Sequence, residues 1–220
     1  GVDGFRLDTV NYYVQDRRLR DNPVGDWSAF PVNPYDAQDP VFSKTRPENL
    51  AVLRRIRALM DEFPGTVTVG EVGDAPSRQV ETMALYSSGR DKLHMAYSFE
   101  LLGPDRTAAH FRQAIERFEA AGRDGWPCWS FSNHDVPRHA GRWTRPGGDV
   151  DAVARQSIAL LCSLPGTLGL YQGEELGQVD TDILFSELRD LGYIAFWPEN
   201  KGRDGCRTPM AWEHDQPNAG

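Results

Sequence analysis

The chain has 220 residues, 40% apolar and 25% charged, the profile of one large or two small globular domains able to bury a full core. With 32 acidic against 24 basic residues the net charge is −8, which argues against nucleic acid or an anionic membrane as partner and leaves neutral substrates open. No apolar run approaches the ~18 residues of a membrane span, and no charged-then-apolar leader opens the chain.

Cys128, Cys162 and Cys206 are odd in number, widely spaced and without C-x-x-C pairing. They argue against a disulfide framework or a zinc site and for reduced thiols in a cytoplasmic protein.

The chain opens without an initiator Met, inside what reads as a strand, GVDGFRLDTV, so a piece of something longer is expected. Residues i and i+2 of a strand share a face, which puts the Arg6 cation beside the Asp8 carboxylate. Taken alone, an R-x-D pair is a weak strand-end salt bridge. Residues 21–47 are rich in Pro, Asp and Asn with neither helical nor strand period, and read as a long loop, a kind that is usually functional. Pro47-Glu48 opens an amphipathic helix carrying Leu50, Leu53, Ile56, Met60 and Phe63, which Pro64-Gly65 stops. TVTVGEV (66–72) follows as a buried strand.

The unit then recurs. A strand at 94–99 (HMAYSF) precedes a helix over 106–121 with Phe111, Ile115 and Phe118 on one stripe. A strand at 128–133 (CWSFSN) precedes a helix started by Asp149 and stopped by Pro165-Gly166. A last strand, 167–172 (TLGLYQ), runs into Gly173-Glu174-Glu175. Strands alternating with helices at this spacing predict α/β architecture with parallel β/α units.

Asp8 ends the first of these strands, Glu71 the second and His134-Asp135 the fourth. Polar groups at C-terminal strand ends are the layout of a (β/α)₈ TIM barrel. Five strands cannot close one. The whole of 1–220 is therefore expected to be the C-terminal part of such a barrel, about its fourth to eighth strands, with the first three absent, a long loop at 21–47 and a further loop at 173–220. Open sheet edges invite pairing with other chains, so the piece alone is expected to be insoluble or inactive.

Carboxylates converging on one mouth suggest glycoside hydrolysis with retention, in which two carboxyl groups ~5–5.5 Å apart act as nucleophile and as acid/base. The nucleophile must stay ionised, and a neighbouring cation favours that, as Arg6 does for Asp8. The acid must hold its proton, which apolar surroundings favour. Glu71, between Val69 and Val72 with few charges adjacent in sequence, is the expected donor. Asp135 is the third group, with His134 as a hydrogen-bond donor.

GFRLD, GEV and SNHD resemble the second, third and fourth signature regions of glycoside hydrolase family 13, the α-amylase family. GVDGFRLDTV, FSNHDVPR, LYQGEELG and GRDGCRTPMAW are closer still to its α-glucosidase branch. The resemblance implies Asp8 as nucleophile, Glu71 as acid/base and Asp135 as transition-state stabiliser, with Arg6 and His134 contacting substrate and nucleophile. It implies a retaining hydrolase of short α-1,4-glucosides such as maltose. Alternatives are a transferring relative of the sucrose isomerase or trehalose synthase type, or a non-catalytic glycosidase-like binding module. The family's D-x-x-x-N-H region and metal-binding loop have no counterpart here; no metal ligand or cofactor is assigned in these residues, and a divalent metal would belong upstream.

Further residues carry weaker signals. Arg203 and Arg207 fall where the branch places an arginine that closes the sugar subsite, though either also reads as a surface Arg. Thr9, directly after Asp8, stands where enzymes acting on α-1,6 bonds carry Val, which implies α-1,4 preference. Arg138 is expected to buttress Asp135, Glu174 and Glu175 to be structural and cap the following helix, and Tyr97 or Phe99 to stack on a sugar ring or belong to the core. Phe30 and Tyr35 are candidates to cover the acceptor site.

Overall fold

The computed structural model describes residues 1–26, 31–122, 124–213 and 215–217. Gly4–Leu7 (β1), Val67–Val72 (β2) and Met95–Ser98 (β3) form a parallel sheet in the order β1-β2-β3. Phe5 stands opposite Thr68, and Glu71 opposite Tyr97. Cys128–Ser130 (β4) and Thr167–Gly169 (β5) make a two-stranded sheet, and an isolated parallel bridge links Ala96 to Pro127. Helices are α1 (Asn49–Met60), α2 (Gln79–Ser87), α3 (Ala108–Ala121), α4 (His139–Trp143), α5 (Val150–Ser163) and α6 (Leu191–Ile194). The alternation of strand and helix follows the sequence reading.

Two compact units divide the chain: residues 1–101, 105–129 and 165–167, and residues 102–104, 130–164 and 168–220. In the first, the parallel sheet and α1 to α3 enclose Val10, Leu53, Val72, Met83 and Leu93, all buried. Phe118 of α3 meets Trp129 edge-on at 6.0 Å. In the second, Phe131, His139 and Trp143 form an aromatic cluster with centroids 4.9–5.9 Å apart.

Helix starts obey local chemistry. Thr107 accepts a bond from the His110 N–H at the head of α3, and Asp149 from the Ala152 N–H at the head of α5. The helix at 79–87 escapes sequence reading because it is buried on most sides, from Gln79 and Val80 to Tyr86 and Ser87, and so has no polar face to set a period. Phe63, expected on the α1 stripe, lies beyond the helix and is 58% exposed.

Two strands end earlier than the apolar runs predict, because side chains capture the backbone. After β4, Ser132 Oγ accepts from the His139 N–H at 2.8 Å and Asn133 Oδ1 from the Asp135 N–H at 2.8 Å. After β5, the Tyr171 N–H donates to Glu174 Oε2 at 2.8 Å. Gly173 sits there at φ 90°, where a Cβ would stand 2.7 Å from Gln178 Oε1.

The described residues of the 21–47 loop are tied down despite its lack of period. Asn22 accepts from the Phe42 N–H and donates to Ser43, the Thr45 N–H reaches the Asn11 carbonyl, and the Asp16 N–H donates to the Phe42 carbonyl. Tyr35 donates to the Tyr12 hydroxyl at 3.2 Å. Phe30 lies outside the described residues.

His94, just before β3, carries a pH dependence. The Thr68 N–H can only donate, so His94 Nδ1 must accept it (3.1 Å), and protonating that nitrogen breaks the bond. Burial lowers the His94 pKa from its ordinary 6.5. The unfolded state therefore takes up the proton first. The stability His94 contributes is whole above 6.5 and is lost as pH falls through the lower folded value. His94→Asn should flatten the fall of the urea midpoint between about pH 7 and pH 5. An unchanged slope would contradict this.

Candidate active site

Parallel register builds the first cluster. Leu7 pairs with Gly70, so the next step along both strands brings Asp8 level with Glu71, and Glu71 pairs with Tyr97. The period-2 expectation for Arg6 and Asp8 holds: one Arg6 Nη meets Asp8 Oδ1. The other Nη reaches Glu71 Oε1 at 2.8 Å and the Tyr97 hydroxyl at 3.0 Å. One guanidinium is thus shared between the two expected catalytic carboxylates.

The environment of Glu71 differs from the sequence expectation. Its neighbours in sequence are uncharged, and it is 3% exposed. Three donors nonetheless meet it across the fold: Arg6 and the Tyr97 hydroxyl (2.9 Å) on Oε1, and the Thr9 N–H (3.1 Å) on Oε2. Each presents a hydrogen to a carboxylate oxygen. A pair that is distant in sequence cannot be read from adjacent residues.

Thr9 makes its contact from a left-handed backbone, φ 40° and ψ 46°, unusual for a β-branched residue. That turn aims its N–H back at Glu71 and lets its carbonyl accept from the Tyr12 N–H. Burial opposes the charge of Arg6, but Tyr97, Glu71 and Asp8 together outweigh it and raise the pKa. Burial, and then the charge of Glu71, push the Tyr97 phenol up, so it keeps its proton. Tyr97 is buried, as the core reading expects, and its hydroxyl is engaged by Arg6 and Glu71.

The second cluster lies in the other unit. Asp135 Oδ1 accepts from Arg203 Nη1 at 2.7 Å and from Arg207 Nη2 at 3.2 Å, while His134 Nε2 stands 3.4 Å from Oδ2. Arg207 Nε also holds the His134 carbonyl at 2.7 Å. Arg203 grips Asp190 through Nε (2.6 Å) and Nη2 (3.1 Å), which lowers the Asp190 pKa, and lies over the Tyr193 ring at 5.2 Å. Both weakly signalled arginines therefore bear on Asp135. Asp190 gives no sequence signal, because an acid in an aperiodic charged loop looks like any other.

Arg138 is fully buried and is bound elsewhere than expected. Its N–H donates to Asp180 Oδ1 at 2.9 Å, and its guanidinium takes the Gln172 and Gly205 carbonyls. It braces the loop behind Asp135 rather than Asp135 itself. Glu174 is structural, as expected, but through His139, whose Nδ1 lies 2.6 Å from its Oε1, with both side chains buried.

Parallel β/α units with acids at the C-terminal ends of β1 and β2 define the barrel class of α/β protein. The α-amylase catalytic-domain family matches residues 1–220, and the chain belongs to that family. It is 51% identical over 220 residues to a probable alpha-glucosidase of Rhizobium meliloti (strain 1021), covering 97% of this chain and 40% of the relative. To Maltase 1 of Drosophila virilis it is 32% identical over 233 residues, covering all of this chain and 36% of the relative. The crystal structure of XgtA, an alpha-glucosyl transfer enzyme, aligns with all of this chain and 41% of its own at TM-score 0.89 and 46% identity. The chain thus spans about two fifths of the length of these relatives, and its neighbours give it the fold of part of a (β/α)₈ barrel.

Proposed function

We propose that the protein is a retaining α-glucosidase that cleaves short α-1,4-glucosides such as maltose, with β1 to β5 serving as the fourth to eighth strands of its barrel. The observation that carries this reading is the single Arg6 guanidinium shared by Asp8 and Glu71. A retaining reaction needs two carboxyl groups side by side, with one kept ionised. Asp8 attacks the anomeric carbon while Glu71 gives its proton to the departing oxygen. Glu71 then takes a proton from the water that releases glucose from Asp8.

Asp135 is the third carboxylate of this reading, set by Arg203 and Arg207, with His134 beside it as a donor to sugar hydroxyls. The relatives named glucosidase and maltase support the substrate class. The three free cysteines support the cytoplasmic placement. No helix among the described residues is long and apolar enough to cross a membrane.

Proton NMR of the first products of maltose cleavage by the full-length protein tests the mechanism. α-Glucose appearing first is expected, and β-glucose first would refute retention. A second reading, transfer to an acceptor sugar or alcohol, is favoured by the likeness to the transfer enzyme. It predicts glucosylated acceptor in place of most of the free glucose.

Linkage preference follows from Thr9, whose hydroxyl offers a hydrogen bond that a methyl cannot. One such contact is worth about 0.5–1.5 kcal/mol, roughly three- to tenfold in kcat/KM. Thr9→Val should shift the maltose-to-isomaltose ratio toward isomaltose by that factor. An unchanged ratio would remove Thr9 from the acceptor site.

A further inference from the structure

The Tyr97 hydroxyl stands where proton donors are counted out one by one. Arg6 has donors only, so its Nη2, 3.0 Å away, fills an acceptor position on the phenol oxygen. The phenol has one proton. Glu71 Oε1, 2.9 Å away, is the acceptor that receives it. The direction of this chain, Arg6 to Tyr97 to Glu71, is fixed by chemistry. Parallel register fixes its geometry, because Tyr97 and Glu71 are direct partners across β2 and β3, with Tyr97 8% exposed and Glu71 3% exposed.

We propose that Tyr97 is a positioning residue for Glu71: by donating its only proton to Oε1 it favours the ionised carboxylate, turns Oε2 toward the Thr9 N–H, and so sets the pH at which Glu71 passes from acid to base. This rests on the role given to Glu71 above. Glu71 meets Arg6 from β1, the Thr9 N–H just beyond it and Tyr97 from β3, and Asp8 shares the Arg6 guanidinium with it. The titratable side chains of the other packed elements are engaged elsewhere: Tyr12 with Tyr35, Tyr86 with Asn49 and Glu81 with Arg117. Arg6 is paired with Val69 rather than with Glu71, and Asp8 lies one step beyond the paired residues of β1, whereas Tyr97 and Glu71 are direct partners.

A retaining enzyme needs the same carboxyl as acid in the first step and as base in the second. A buried carboxyl without donors keeps its proton to higher pH, which suits the acid step but leaves little carboxylate for the base step. The Tyr97 hydrogen bond moves the balance toward the base.

The test is the pH profile of kcat/KM for maltose in the full-length protein. Its alkaline limb reports loss of the proton from the acid catalyst. Tyr97→Phe keeps the ring and removes the donor, and should move that limb up by about one pH unit. Replacing Tyr97 by 3-fluorotyrosine, nearly isosteric and a stronger donor, should move it down. A lower rate at every pH with the limb unmoved in both variants would overturn the proposal and leave Tyr97 a packing residue.

Infrared titration of the carboxyl band that disappears in Glu71→Gln gives the same comparison without turnover. It therefore separates the two readings. A band that moves with the residue at 97 while Glu71→Gln retains full activity would sink the catalytic role of Glu71 and keep the Tyr97 hydrogen bond. An unmoved band with an inactive Glu71→Gln would do the reverse.

Discussion

Asp8→Ala in the full-length protein is expected to lose turnover of maltose by about four orders of magnitude or more, the scale on which removal of a covalent nucleophile is felt. The fold should survive, because the Asp8 side chain is 68% exposed. Arg6 keeps its contacts with Glu71 and Tyr97 in the variant. The space left beside its guanidinium suits a small anion. Millimolar azide should therefore restore part of the activity on an activated aryl α-glucoside and give β-glucosyl azide, the product of attack from the face Asp8 occupies. Retention of ordinary maltase activity in Asp8→Ala would end the assignment of the nucleophile. Glucosyl azide of the α configuration would mean attack from the other face.

Glu174→Ala should cost roughly 3–5 kcal/mol, the largest stability loss expected from a single side chain outside the candidate site. Glu174 accepts from His139 Nδ1 and from the Tyr171 N–H, and both carboxyl oxygens are used. Removing it takes the acceptor from the Tyr171 N–H and leaves His139 Nδ1 to the longer contact with Ser132 Oγ at 3.2 Å, beside side chains that are 0% (His139) and 1% (Glu174) exposed. The turn after β5 and the start of α4 lose their shared anchor together.

Glu174→Gln, which keeps an acceptor oxygen and nearly the same shape, should lose less. Asp91→Ala is the contrasting case. Asp91 pairs with Arg54 and Lys92, and those neighbours hold its carboxyl low, at about 2. Asp91 and Arg54 are about half exposed although Lys92 is buried, and an ion pair open to solvent contributes little. Urea midpoints of the three variants make the comparison. A Glu174→Ala midpoint no lower than that of Asp91→Ala would contradict the anchoring role.

The two clusters also show why arginine does this work. Arg6 divides its fork between Asp8 and Glu71, and Arg203 divides its own between Asp135 and Asp190. A planar guanidinium presents several donors in fixed directions and stays charged, so one residue can orient two carboxylates at once. Lysine, a point charge on a flexible stem, cannot hold both partners in one geometry.

The alternation of strand and helix, the helix start at Asp149, the side-by-side placement of Arg6 and Asp8, and the acids at the strand ends are all legible in the sequence. Each of these follows from a local rule: a period of 2 or 3.6, a capping side chain, or a proline or glycine stop. Tertiary structure alone decided the rest. The helix at 79–87 is buried on most sides and shows no face to read. The strands predicted over 128–133 and 167–172 stop early because Ser132, Asn133 and Glu174 find backbone partners that no propensity predicts. Above all, Glu71 reads in sequence as a carboxyl among apolar residues, and in the fold it is met by donors from Arg6, Thr9 and Tyr97. Those donors come from 65, 62 and 26 residues away along the chain, brought beside it by parallel register. Electrostatic environment is set by distance in space, and only the pairing of strands converts a position in the chain into such a distance.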